Sequence, residues 1–210
     1  MVVVATQSNF STRERILHVA ESLFASHGFT GASLRQVTAV AKVNLAAVNY
    51  HFGSKEKLIE EVFRHRLDEL SRQRMAALAA TALNPDSQLE DVLAAFIYPA
   101  LEQSMDNAGG AAFVRVLARA YAEHDERLRK FLSDNYGHVL REFASAFAAL
   151  LPHLSKDELY WRLDIVAGAL TYAMADFGMI KRKTDISEHH HCARTAQHLV
   201  RFAAAGLRAE

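Results

Sequence analysis

The stretch that decides the fold is VNLAAVNYHFGSK, residues 43–55. Asn44 is a favourable N-cap, so the pattern predicts a short helix that begins after this residue and ends before Gly53. Val48 and Phe52 lie one helical turn apart and are predicted to face inward, which turns the polar residues between them outward. The helix therefore combines small residues at its start with amide, phenol and imidazole groups on its outer faces, a combination that suits entry into a groove of DNA.

The residues before this stretch predict two more helices. Ser11 and Glu14 form a capping box, and the apolar positions that follow keep to one helical face until Gly28. Ser33 and Gln36 form a second box at the start of a short helix. Because a tight turn joins this helix to the next one, the two short helices are predicted to form a helix-turn-helix unit supported by the first helix.

Apolar residues recur at helical spacing nearly throughout the chain, so the sequence predicts an all-α protein of about nine helices. Residues 1–57 are predicted to form a helix-turn-helix head, and residues 58–210 a helical-bundle body. A fourth helix is predicted from Ser54 to about Ala82, which makes it the mechanical link between head and body. Further breaks are predicted at 84–86, where Asp86 is expected to cap the next helix, at 106–110, at Pro152 and at 181–185.

Charge and cysteine usage narrow the classes of protein that fit. Lys plus Arg equals Asp plus Glu at 24 each, so the net charge of the whole chain does not indicate nucleic-acid binding. The distribution of charge along the chain is more informative, because residues 1–57 carry six basic side chains against three acidic ones. The single Cys192 excludes an internal disulfide framework and a cysteine-rich zinc site. Without a signal segment or an apolar run of about 18 residues, the chain is predicted to be cytoplasmic and free of membrane contact.

Three motifs occur within residues 13–58: A-x-x-L-F at 20–24, G-F-T at 28–30 and Y-H-F-x-S-K-E-x-L at 50–58. With these motifs the run resembles the N-terminal DNA-binding domain of TetR/AcrR-type transcriptional regulators. The resemblance implies a homodimer that binds a palindromic DNA operator and is controlled by a small molecule held in the body. It implies a one-component repressor and not an enzyme.

The same resemblance assigns roles to individual residues of the head. The assigned residues are Ser33 and Arg35 for the DNA backbone, Asn44, Leu45, Ala46 and Asn49 in the recognition helix, and Tyr50, His51 and Lys55 for phosphates. Asn49 departs from the family, which often has an aromatic residue at this position, although an amide can bind adenine through two hydrogen bonds. The alternative for all of them is ordinary helix surface.

In the body, FVRVL at 113–117, LSDNYG at 132–137 and LYWRL at 159–163 resemble, together with residues 44–55, the PsrA-type branch of the family. Members of this branch respond to long-chain fatty acids, so the resemblance implies a fatty acid or acyl-CoA as effector. Burial of an alkyl chain stabilises by roughly 0.8 kcal/mol per methylene before ordering costs. The candidate effector-binding residues are Phe96, Phe113, Leu117, Tyr121, Tyr136, Phe143 and Met174, with ordinary core packing as the alternative.

The segment that starts near residue 155 is apolar on every face and contains small residues, so it must be covered on every face. With the last helix it is predicted to form the four-helix seam of a dimer. The candidate interface residues are Trp161, Ile165, Ala169, Tyr172, Leu199, Phe202 and Leu207. Core packing within one chain is the alternative.

Two other clusters receive plainer interpretations. Arg115 and Arg119 share a helical face and could bind an effector carboxylate, but their phase opposite the inward residues favours a solvated or ion-paired face. The run HHHC at 189–192 suggests a metal site. Consecutive residues on a helix point about 100° apart, so these side chains do not converge and no metal site is predicted.

The rival function is an α-helical lipid carrier or enzyme that uses the same apolar interior. The sequence contains no G-x-S-x-G, H-E-x-x-H, P-loop or G-x-G-x-x-G pattern. Catalysis therefore has no support in the sequence, and no cofactor is predicted.

Overall fold

The computed structural model describes residues 10–105, 109–123, 125–175 and 188–209, and the side chains of Tyr121, Glu188, His189 and His190 lie outside this description. In the described ranges the chain has nine helices and no strand, which confirms the predicted all-α class. The helices are α1 Thr12–Gly31, α2 Leu34–Ala41, α3 Leu45–Phe52, α4 Lys55–Ala82, α5 Leu89–Ser104, α6 Gly110–Ala122, α7 Glu126–Leu150, α8 Lys156–Ala175 and α9 Glu188–Arg208. None of these helices combines the length and the apolar character that a membrane span requires.

The predicted helix starts depend on side chains that satisfy backbone N–H groups. The Ser11 hydroxyl accepts from the Glu14 N–H at 3.2 Å, and the Glu14 carboxylate accepts from the Ser11 N–H at 2.8 Å. Ser33 and Gln36 form the same reciprocal pair at the start of α2. Gly28 interrupts α1 with a φ of 73°, a conformation that glycine adopts without strain. Both capping boxes are confirmed, and the helix is interrupted at Gly28 as predicted, but residues 29–31 form a further helical turn of α1 and not the predicted end of the helix.

Two of the later predicted breaks cannot be compared in full, and one cap is wrong. The break at 181–185 lies outside the described residues, as does most of the break at 106–110. The N-cap of α5 is Gln88 and not Asp86. The Asp91 carboxylate, in the first turn of α5, accepts from the Gln88 N–H at 2.8 Å. Asp86 lies in the turn that precedes this cap.

Buried apolar side chains form two clusters, one in the body and one shared between head and body. The body cluster joins α5, α7, α8 and α9 and includes Phe96 and Phe143. The head cluster joins α1 to α4, but it also contains Phe113 of α6 and Leu128 of α7. Burial of each large apolar side chain stabilises by roughly 1.5–3 kcal/mol. The head cluster therefore extends across the predicted domain boundary after residue 57.

The end of α6 holds the end of α1. Arg119 donates to the carbonyls of Ala25 and Ser26, each at 3.1 Å, and Glu123 accepts a backbone N–H of the same turn of α1 at 3.2 Å. A cation at the carbonyl end of a helix is favourable. The prediction of a solvated or ion-paired face is therefore wrong for Arg119, which donates to backbone carbonyls of the head, whereas Arg115 is exposed.

A second joint is a buried ion pair that the sequence analysis missed. Arg66 of α4 donates to both carboxylate oxygens of Glu21 of α1 at 3.1 Å, and the two residues are 5% and 2% exposed. Gly109, the N-cap of α6, lies directly on this pair, since a Cβ there would be 2.5 Å from an Arg66 guanidinium nitrogen. Three helices therefore meet at one pair of buried charges.

Candidate nucleic-acid interface

The orientation of α3 follows from two apolar anchors. Val48 and Phe52 are buried in the head cluster. Tyr50 is 86% exposed on the outer side, where Leu45 and Asn49 are also exposed. The predicted orientation of α3 is confirmed, and the outer face presents an aliphatic, an amide and a phenol side chain to solvent.

Two of the assigned residues act locally as helix caps. The Asn44 amide oxygen accepts a backbone N–H of α3 at 2.8 Å, and the Ser33 hydroxyl accepts a backbone N–H of α2 at 3.2 Å. These bonds hold the first turns of α2 and α3, where Arg35 and Ala46 are exposed. Asn44 and Ser33 therefore shape the surface that the other residues present.

The turn between α3 and α4 brings together the three residues assigned to phosphates. Gly53 has a φ of 80°, and the Ser54 hydroxyl caps α4 by accepting a backbone N–H at 3.2 Å. The rings of Tyr50 and His51 pack edge to face with their centres 5.1 Å apart. His51 and Lys55 are half-buried, so each side chain packs partly against the protein and is partly accessible to solvent and to DNA.

Lys42 occupies an unusual position in the turn between α2 and α3. Its φ of 54° and ψ of 48° lie in the left-handed region, which costs a residue with a Cβ roughly 1–2 kcal/mol. The sequence predicted a tight turn that begins at Lys42 but did not assign a left-handed conformation to this residue. A short turn after a helix commonly requires one residue with left-handed backbone angles. The predicted tight turn could therefore have indicated this conformation at Lys42.

The charge pattern at the start of α4 is mixed. Hydrogen bonds with its own backbone N–H and with Ser54 hold the pKa of the Glu56 carboxyl below its ordinary value, and the positive charges of Arg127 and Lys55 lower it further. Glu56 is therefore ionised near neutral pH beside Lys55. Arg127 belongs to α7, so a body helix contributes charge to this part of the head.

The described candidate effector residues fall in two different apolar clusters. Phe113, Leu117 and Tyr136 belong to the cluster between head and body, and Phe96, Phe143 and Met174 to the body cluster, while the Tyr121 side chain is not described. Neither a polar cleft of about 390 Å³ along α4 nor a groove of about 120 Å³ between α8 and α9 is lined by any of them. Effector contact by these residues stays a prediction, because helical phase identifies buried residues without identifying their neighbours.

The candidate interface residues separate into surface and core. Trp161 and Phe202 are 71% and 70% exposed, and Ile165 and Tyr172 are exposed beside them. Leu207 is 0% exposed and Leu199 is buried, so these two residues pack in the core of their own chain and offer little surface to another. Ala169 is half-buried in the groove between α8 and α9.

Arg162 holds α8 against the end of α9. Its guanidinium donates to the carbonyls of Gly206 and Leu207 at 3.0 and 3.1 Å, and to the Glu158 carboxylate at 2.7 Å. The bonds to α9 satisfy carbonyls that lack a partner within the helix. The exposed apolar residues of α8 and α9 therefore lie on one fixed surface.

The histidine run at 189–192 is only partly described. The side chains of His189 and His190 lie outside the description, and Cys192 is buried. Among the described side chains, no group of three His, Cys, Asp or Glu residues is placed to hold a metal ion.

Two family models match the chain. The model described as bacterial regulatory proteins, tetR family, matches residues 16–62, which contain the capped helices of the head. The model described as tetracyclin repressor-like, C-terminal domain, matches residues 94–206, more than half of the chain. The two matches therefore include most of the head and most of the body.

Curated relatives and solved structures agree with these models. The transcriptional repressor NicS of Pseudomonas putida is 37% identical over 95 residues, 45% of this chain and 44% of that protein. KstR2 of Rhodococcus jostii, also a transcriptional repressor, is 28% identical over 99 residues, 47% and 48% of the two chains. The chain thus spans about half the length of the curated relatives that it matches.

Two solved structures share the fold over nearly the whole chain. The fatty acid degradation regulator FadR of Bacillus halodurans has a TM-score of 0.64 at 15% identity, covering 97% of this chain and 100% of that one. A TetR-like regulator from Rhodococcus has a TM-score of 0.61 at 17% identity, covering 95% and 97%. With both family models matched, the chain belongs to the tetR family of bacterial regulatory proteins, which are transcriptional regulators and not enzymes.

Proposed function

We propose that this protein is a repressor that binds a palindromic DNA operator as a homodimer. The observation that carries the proposal is the outer face of α3, where Leu45, Asn49 and Tyr50 are exposed on a helix anchored by Val48 and Phe52. Such a face can enter the major groove, where side chains distinguish base pairs. The curated relatives NicS and KstR2 are both transcriptional repressors, which supports the same role here.

The dimer is proposed to form through the exposed apolar surface of α8 and α9. Trp161, Ile165, Tyr172 and Phe202 form this surface, and Phe202 and Ile165 also line the groove between the two helices. A second copy related by two-fold symmetry would bury the same residues of both chains. The two α3 helices would then need a separation of about 34–36 Å to enter successive major grooves.

Replacement of Lys55 by alanine tests the assigned phosphate contacts. We expect weaker binding to every duplex and a salt dependence flatter by about one unit per subunit bound, because one cation no longer displaces counterions. Fluorescence anisotropy with a labelled random-sequence duplex pool, titrated at several salt concentrations, measures both quantities.

Arg141→Ala is the control for this experiment, since Arg141 is an exposed cation in the middle of α7. It removes the same charge from the body and is expected to leave the affinity and the salt slope unchanged. Equal behaviour of the two variants would contradict the assignment of Lys55 to the DNA backbone.

The effector is proposed to be a fatty acid or acyl-CoA bound among the body helices. Support comes from the apolar character of the body cluster and from the fold shared with the regulator FadR. Since Phe96 and Phe143 pack edge to face 5.1 Å apart, an effector among them must separate aromatic rings that now touch. Binding would favour one head spacing, and its effect is limited to its difference in affinity for the two spacings.

Identification of copurifying molecules tests the effector. Mass spectrometry of an organic extract of the purified protein is expected to reveal an acyl compound, and addition of this compound is expected to change duplex affinity. If neither long-chain fatty acids nor acyl-CoA changes the affinity, the effector proposal is wrong while the DNA-binding proposal is unaffected.

A further inference from the structure

Helices α4 and α7 pack side by side and run in the same direction. The Arg64 guanidinium lies 4.8 Å from the ring centre of Phe131, and further along both helices the Tyr136 hydroxyl donates to Asp68 at 2.7 Å. Because later residues of α4 meet later residues of α7, the first turns of the two helices lie at the same end. Leu128, in the first turn of α7, is accordingly buried in the head cluster.

This register places Arg127 level with about residue 60 of α4, one turn after the first turn of that helix. Arg127 precedes Phe131 by one turn, about 6 Å, and side chains of a helix lean towards its N-terminus. The side chain therefore extends from this level towards the first turn of α4, which carries Lys55 and Glu56. The contribution of Arg127 to the lowered pKa of Glu56 agrees with this position, although hydrogen bonds are the larger cause.

The Arg127 side chain is open to a partner. It is exposed, and it forms no ion pair with any acidic side chain in the described residues. Its neighbour Lys130 differs in this respect, because the Lys130 ammonium bonds the Asp134 carboxylate at 2.9 Å. An exposed guanidinium thus lies on the side of the molecule where α4 begins, after the turn that carries Tyr50, His51 and Lys55.

We propose that Arg127 binds a DNA phosphate, so that the body contributes directly to the DNA contacts of the head. The inference rests on the proposed function, because that function assigns Lys55 beside it to the DNA backbone. A guanidinium suits this role, since two of its N–H groups can donate in parallel to one phosphate. The plainer role is neutralisation of Glu56, whose carboxylate would otherwise repel a phosphate near Lys55.

Arg129 provides a matched control. It is an exposed arginine on the same helix without an ion pair among the described residues, two positions further on and about 200° around the axis. It therefore faces away from α4. The test compares the full-length Arg127→Ala and Arg129→Ala variants by anisotropy titration of a labelled random-sequence duplex pool over a range of salt concentrations.

We expect Arg127→Ala to weaken duplex binding by about threefold to tenfold and to flatten the salt slope by about one unit per subunit, with Arg129→Ala unchanged. If Lys55→Ala weakens binding but Arg127→Ala does not, the inference is wrong and the proposed function stands. If neither Lys55→Ala nor Arg127→Ala changes the affinity, the proposed phosphate contact of Lys55 is wrong, and the inference about Arg127 falls with it.

Glu56→Gln separates direct contact from neutralisation. Direct contact predicts that Arg127→Ala weakens binding by the same factor whether residue 56 is Glu or Gln. Neutralisation predicts that the effect of Arg127→Ala disappears in the Glu56→Gln background, and this result would overturn the inference.

Discussion

Replacement of Arg66 by methionine is expected to lower the free energy of unfolding by about 3–5 kcal/mol. The substitution leaves the Glu21 carboxylate without its bidentate partner at a site where Glu21 is 2% exposed. An ionised carboxylate that cannot reach water retains its desolvation cost without the attraction that offset it. The backbone of Gly109 lies over the pair, so water has little room to replace the guanidinium.

The double variant Glu21→Leu with Arg66→Met is expected to recover most of this loss, because both charges are replaced by apolar side chains of similar volume. Arg72→Met is the surface control, since Arg72 and its partner Glu69 are 68% and 48% exposed, and no measurable change is expected. Urea unfolding followed by helical circular dichroism, at one protein concentration because dimerisation shifts stability, measures all three. A double variant no more stable than the single one would contradict the explanation.

The sequence predicted the local structure of the head well because its signals are local. The capping boxes at Ser11 and Ser33, the cap at Asn44 and the inward pair Val48 and Phe52 each depend on residues within a turn of one another. Such patterns specify where a helix starts and which face it buries. The roles of the outer residues of α3 came from resemblance, and they stay predictions.

The joints between head and body could not be predicted in the same way. Glu21 and Arg66 each occupy an inward-facing position of a helix, where a charged side chain is unusual. Nothing in the sequence indicates that two residues 45 positions apart form a pair. Arg119 has the phase of a solvated residue and is instead held by carbonyls of α1. Helical phase likewise indicated that Leu207 is buried, but it could not distinguish burial in the core of one chain from burial in an interface between two chains.

Ile165→Glu is expected to separate the dimer and to weaken operator binding by about 10²–10⁴-fold, because two linked heads bind with an effective concentration that single heads lack. Ile165 is exposed on α8 between Trp161 and Tyr172, and it lines the groove that Phe202 also lines. A second copy would bring the same residue into an apolar contact, where an unpaired carboxylate is costly. Analytical ultracentrifugation and anisotropy, with a duplex selected by the natural chain from a random pool, measure the two effects.

The only tryptophan, Trp161, reports on the same surface. Its indole is 71% exposed in the single chain, so burial against a second copy should shift its emission to shorter wavelength and protect it from iodide. Ile165→Glu should restore the exposed spectrum, whereas Leu140→Glu should not, because Leu140 is an exposed aliphatic residue on α7 outside the proposed surface. If Ile165→Glu remains dimeric with Trp161 still protected, α8 and α9 are not the surface that pairs the heads. The avidity of operator binding would then require a different contact.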